Sequence, residues 1–112
     1  MPSLYITTNV NLEGVDVQPI FSEATTAVAS IIGRPQHLVM VVLKGSVPIQ
    51  FTGTEEPAAF GQLISMGGIN KIVKKNLITS IGGILQTHLS IPPARFFCHV
   101  VDTTAGRTQS KL

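Results

Sequence analysis

SLYITTNVNLEGVDVQPIFSEATTAVASIIGRPQHLVMVVLKG, residues 3–45, decides the fold. It opens with Leu4-Tyr5-Ile6, a short apolar run rich in strand-favouring side chains. Phe21, Ala24, Ala27, Val28, Ile31 and Ile32 then recur at helical spacing, with Asp16 placed as N-cap and Gly33 as stop. Pro35 turns the chain into Leu38-Val39-Met40-Val41-Val42-Leu43, a second strand. Strand, helix and strand with a crossover of this length predict a βαβ unit with parallel strands.

The same plan returns about 57 residues later, between Phe60 and Asp102. Gln62-Leu63-Ile64-Ser65-Met66 repeats the first strand, and Pro92-Pro93 repeats the turn into Arg95-Phe96-Phe97-Cys98-His99-Val100-Val101. Val73, Leu77, Ile81, Ile84, Leu85 and His88 follow helical spacing between them, with Asn70 as cap. Gly82 and Gly83 lie inside that helix at about 1 kcal/mol each relative to alanine, which suggests close packing against a sheet. Two pseudo-symmetric βαβ units side by side predict an α+β fold: a four-stranded sheet with both helices on one face. The other face, apolar and uncovered in a monomer, calls for a second copy of the chain. Val47–Pro57 reads as a short strand and loop inside one domain spanning residues 1–112, and residues 103–112 read as a flexible tail.

A chain of 112 residues can bury a core without staples. Only 12% of it is charged, against about 25% in average proteins, which again favours covered surface. The net charge of +2 and the absence of aromatics around Lys71, Lys74 and Lys75 argue against nucleic acid and for a solvated helix face, with a phosphate patch as the alternative. The single cysteine, Cys98, excludes an internal disulfide and Cys-x-x-Cys chemistry, and fits a reducing compartment. Adjacent strand residues face opposite ways, so Cys98 and His99 form no dyad. His37, His88 and His99 share no metal-ligand spacing, and no metal or other cofactor is expected. No apolar run is long enough to span a bilayer, and the N-terminus lacks the pattern of a secretory leader.

Pro2 is the candidate for chemistry. Methionine is commonly trimmed before a small residue, and its loss would leave a secondary amine at the head of a buried strand. An α-amino group titrates at about 7.7 to 8.0. Desolvation lowers that value further, giving a neutral general base at physiological pH.

Pro2 opening a strand that ends Thr8-Asn9-Val10, with Ser22-Glu23 and Gly33-Arg34-Pro35, resembles the macrophage migration inhibitory factor family. Phe51-Thr52-Gly53-Thr54-Glu55-Glu56-Pro57-Ala58 and Ser65-Met66-Gly67-Gly68 carry the same resemblance, and Val42–Pro48 looks like its plant members. The likeness is collinear over about residues 2 to 102. It implies the tautomerase fold and a homotrimer whose sheets wrap a central channel. It also implies keto–enol tautomerisation of phenylpyruvate-like acids or isomerisation of dopachrome-like compounds, with Pro2 as base. Arg34 stands where the family usually has a carboxylate-binding lysine, and its bidentate fork suits the same anion. Met66 falls at a pocket-lining position.

The departures point to weak or shifted activity. Phe97 and His99, which the resemblance also implies as substrate-binding positions, replace a frequent tyrosine and a frequent asparagine, Leu38 replaces a frequent aromatic residue, and the tail lacks pocket-closing aromatics. Ala58-Ala59-Phe60-Gly61 occupies the stretch of the family's Cys-x-x-Cys pair. The alternative is a trimeric signalling or interaction protein without useful catalysis. The final Ser110-Lys111-Leu112 has the form of a peroxisomal import signal. A peroxisomal import receptor is therefore an expected partner, with the cytoplasm as a second location.

Overall fold

Alternation in Ser3–Thr8 makes the central strand β1, with Leu4, Ile6 and Thr8 buried and Tyr5 facing outward. The structure is a computed structural model and describes residues 1–104. Elements follow in the order β1, α1 (Gln18–Ile32), β2 (Met40–Lys44), β3 (Ala59–Ser65), α2 (Lys71–Leu89) and β4 (Phe96–Asp102). The sheet order is β2-β1-β3-β4. β1 runs parallel to β2 and antiparallel to β3, and β3 runs parallel to β4. This is the doubled βαβ architecture expected from the repeat.

The repeat holds to the residue. Ser3 pairs with Met40 in the first half and Ala59 with Phe96 in the second, the same separation in both. After α1 the chain turns at Gly33 in the left-handed region, then at Pro35 into a 3-10 turn over Gln36–Leu38. After α2 it does the same at Ser90, Pro92 and Pro93–Arg95. The predicted strands beginning at Leu38 and Arg95 therefore start two and one residues late, because the prolines first enforce a tight turn.

Leu4, Ile6 and Leu63 from the sheet meet Ile20, Ala24 and Val28 of α1 and Leu77, Ile81 and Leu85 of α2 in one core. Burying each large aliphatic side chain contributes about 1.5–3 kcal/mol. Asn70 caps α2 as its sequence suggests, with its side chain accepting from the Val73 amide at 2.8 Å. Asp16 does not cap α1. Val17 occupies that position, and Asp16 accepts from the Gln18 amide in the turn before it, at 3.1 Å. Pro19 near the helix start supplies the φ that a first turn needs.

Val47–Gln50 forms no strand, and the expected pairing shrinks to one bridge between Phe51 and Thr54. Thr103 and Thr104 are tethered at the end of β4: Thr103 donates to the Ser65 carbonyl at 3.5 Å and Thr104 to the Asp102 carboxylate at 2.6 Å. The rest of the expected flexible tail, including Ser110, Lys111 and Leu112, lies outside the described residues.

Candidate active site

Pro2 is fully buried at the start of β1, and its carbonyl accepts from the Met40 amide at 3.1 Å. Met1 precedes it and is 61% exposed. With Met1 attached the Pro2 nitrogen is an amide and has no basic lone pair. The antiparallel register sets Ser3 opposite Ile64, so Pro2 lies beside the end of β3 and the loop that follows it.

Arg34 reaches that loop. Its Nη2 donates to the Met66 carbonyl at 3.3 Å. Gly67 and Gly68 both take positive φ, near +80°, and a Cβ on either would stand 3.8 Å from the Arg34 guanidinium. Ser65 donates to the Gly67 carbonyl at 2.7 Å, and the Gly67 amide donates to the Asp102 carboxylate at 3.1 Å. Both contacts fix the turn. The Met66 side chain is 57% exposed, so it is free to line a site rather than fill the core. Pro2, Arg34 and Met66 thus come together at one end of the sheet. Their meeting rests on the ends of β1, α1 and β3.

Phe97 and His99 are not brought to that corner. Phe97 pairs with Phe60, which pairs with Thr7; His99 pairs with Gln62, which pairs with Tyr5. Thr7 lies five residues along β1 from Pro2, about 17 Å at strand rise. Both side chains stand on the sheet face opposite the helices, where the Phe97 ring stacks on Phe60 with centroids 5.9 Å apart. Tyr5, Met40, Val42 and Phe60 share that open face. Phe97 is 57% exposed there, the uncovered apolar surface that the sequence anticipates.

Cys98 points the other way, under Gly61 and toward the helices, which separates it from His99 as strand alternation requires. Burial pushes its thiol up to about 11, with Lys74 opposing the shift. The thiol is protonated at neutral pH and inert as a nucleophile. Among the described residues, no group of three or more His, Cys, Asp or Glu could hold a metal ion. No helix of the described residues is long and apolar enough to cross a membrane.

Residues 1–110 match the family profile "Macrophage migration inhibitory factor (MIF)". The chain belongs to the macrophage migration inhibitory factor family. It is 32% identical over 102 residues to a homolog from Trichuris trichiura, covering 91% of this chain and 89% of that one. The Rattus norvegicus factor is 30% identical over 106 residues, covering 95% and 91%. The solved factor of Trichinella spiralis superposes with a TM-score of 0.81 at 29% identity, covering 89% of this chain and 88% of that one. A Prochlorococcus marinus homologue shares the fold at a TM-score of 0.82 and 24% identity, covering 89% and 87%. The family includes tautomerases and cytokine-like proteins, and its members self-associate.

One residue of structural weight escaped the sequence reading. Arg95 donates to the carbonyls of Phe51, Thr54, Glu56 and Pro57 and to the Thr52 hydroxyl, at 3.0 to 3.4 Å. Its guanidinium also lies 5.4 Å from the Phe51 ring centroid. It holds the loop between the two halves. Asn9 holds the same loop from the other side, donating to the Glu55 and Glu56 carbonyls and accepting from the Ala58 amide at 2.8 Å. Only the placement of Thr8-Asn9 within the recognised motif hinted at this.

Proposed function

We propose that the protein is a keto–enol tautomerase of phenylpyruvate-like α-keto acids or dopachrome-like compounds, working as a homotrimer with Pro2 as general base. The observation that carries the reading is a fully buried proline ring behind an exposed Met1, with the Arg34 guanidinium at the same end of the sheet. Removal of Met1 turns the amide into a secondary amine. Burial favours its neutral form at pH 7. The ring nitrogen then takes the proton α to the substrate carbonyl, and that C–H pair becomes the enol double bond as the carbonyl oxygen gains a proton. Arg34 pairs with the carboxylate and fixes the α-carbon over the nitrogen. Met66 supplies apolar wall.

Phe97 and His99 contribute, in this reading, from a neighbouring copy. The open apolar sheet face supports association, and two strand edges, on β2 and β4, remain available for it. Phe97 brings no hydroxyl, so any step needing a donor there is weakened. Ser110-Lys111-Leu112 would direct the trimer to the peroxisome, and a Leu112 deletion should return a fluorescent fusion to the cytosol.

Intact mass, sedimentation and turnover test the proposal together. Expected are loss of Met1, a trimeric mass, phenylpyruvate tautomerisation abolished in Pro2→Gly and a raised KM in Arg34→Ala. Retained Met1, or turnover indifferent to Pro2→Gly, overturns the enzyme reading. A trimer without turnover favours a non-catalytic signalling protein.

A further inference from the structure

Packing against the sheet reaches only one of the glycine pair inside α2. A Cβ on Gly82 would meet the Phe96 ring at an ordinary 3.5 Å, and one on Gly83 would meet nothing within 4 Å. Gly82 is thus buried against the sheet as expected, whereas Gly83 is exposed and packs on nothing. Both also floor a surface groove of 360 Å³ that Ile78, Pro93 and Phe96 help to line.

That groove continues at Ile78 and Thr79 into a second cavity of 390 Å³, bordered by Lys71, Lys74 and Lys75. The three lysines sit in the first two turns of α2, against the helix dipole, and the first turn carries no acidic residue. Among the described residues none of the three has an ion pair. Like charges crowded at the wrong end of a helix destabilise it unless an anion joins them. Lys71, Lys75, Ile78, Gly82 and Gln86 share one face, and from Lys75 to Gln86 the groove spans about 16 Å at helical rise. One end is cationic and the remainder is mostly apolar.

We propose that this face of α2 binds a linear fatty-acyl carboxylate, with its head on Lys71, Lys74 and Lys75 and its chain over Gly82 and Gly83 against Phe96. The site is separate from the Pro2 corner and does not depend on the activity proposed for it. The apolar groove rewards a chain, and the lysines reject an uncharged one.

Laurate below its micelle concentration is the probe, titrated calorimetrically into the full-length protein, with dodecanol and acetate as controls. Amide shifts in a parallel NMR titration should centre on Ile78, Thr79, Gly82 and Gly83. Laurate is expected to bind at micromolar concentration, and dodecanol and acetate at least tenfold more weakly. Replacing Lys71, Lys74 and Lys75 by serine should weaken laurate at least tenfold and remove the salt dependence. Gly83→Leu should fill the groove and weaken laurate equally, while its melting temperature stays level or rises, since leucine favours the helix. Acetate or phosphate binding as tightly as laurate, laurate binding unchanged by Gly83→Leu, or shifts centred elsewhere would each overturn the proposal.

Discussion

Replacing Arg95 by alanine should loosen the loop joining the two halves while leaving the sheet intact. The guanidinium makes five hydrogen bonds to residues 51–57, four of them to main-chain carbonyls. A hydrogen bond to a charged group contributes about 1.5–3 kcal/mol. The sum is not the expected loss, because the loop is largely exposed and its carbonyls return to water. Two or three effective bonds' worth of fixed geometry, with the Phe51 stacking, gives about 2–3 kcal/mol. For a chain of this size that corresponds to a fall in Tm of about 10 °C. Circular dichroism melts supply the number, and hydrogen exchange at the Phe51 and Thr54 amides, which bond each other's carbonyls, locates it. Arg95→Lys keeps the charge but not the fork, and should recover less than half of the loss. A melt within about 2 °C of the wild type, or unchanged exchange at Phe51 and Thr54, would refute the clamp.

Ser90 takes φ +55° at the C-cap of α2, where the first half uses Gly33 at φ +82°. Ser90→Gly should therefore raise stability by about 0.5–1 kcal/mol, read from denaturant midpoints; a loss of stability would show that the serine side chain has its own role. Cys98 binds its proton more tightly folded than unfolded, so its contribution is complete below the unfolded thiol's range and fades as pH climbs toward 11. Wild type should lose on the order of 1 kcal/mol more than Cys98→Ala between pH 9 and 11, since the thiol keeps part of its solvent contact, and parallel pH profiles would exclude this linkage.

Much of the architecture was legible because it is written twice. Apolar spacing, paired turns at Pro35 and Pro92, and the Asn70 cap are local signals, and local signals survive in sequence. Asp16 misled by one residue, since an Asx turn and an N-cap use the same side chain one or two positions apart. The role of Arg95 was invisible because its acceptors are carbonyls some forty positions away, and carbonyls have no sequence. Strand alternation alone put Phe97 and His99 on one face and Cys98 on the other. Their distance from Pro2 needed the register, which fixes where along β1 each row of the sheet falls.

The internal two-fold has a consequence for how many sites one chain can own. Moving 57 residues along the repeat carries Pro2 to Ala59, Arg34 to Ile91 and Leu38 to Arg95. Ala59 opens β3 in the middle of the chain, so its nitrogen is an amide under any processing of the terminus. A chain has one beginning, and duplication of the scaffold cannot duplicate a free amine. Under the proposed function the equivalent corner therefore takes no part in the chemistry. One half spends its arginine on the Met66 turn, and the other spends its own on the loop that joins them.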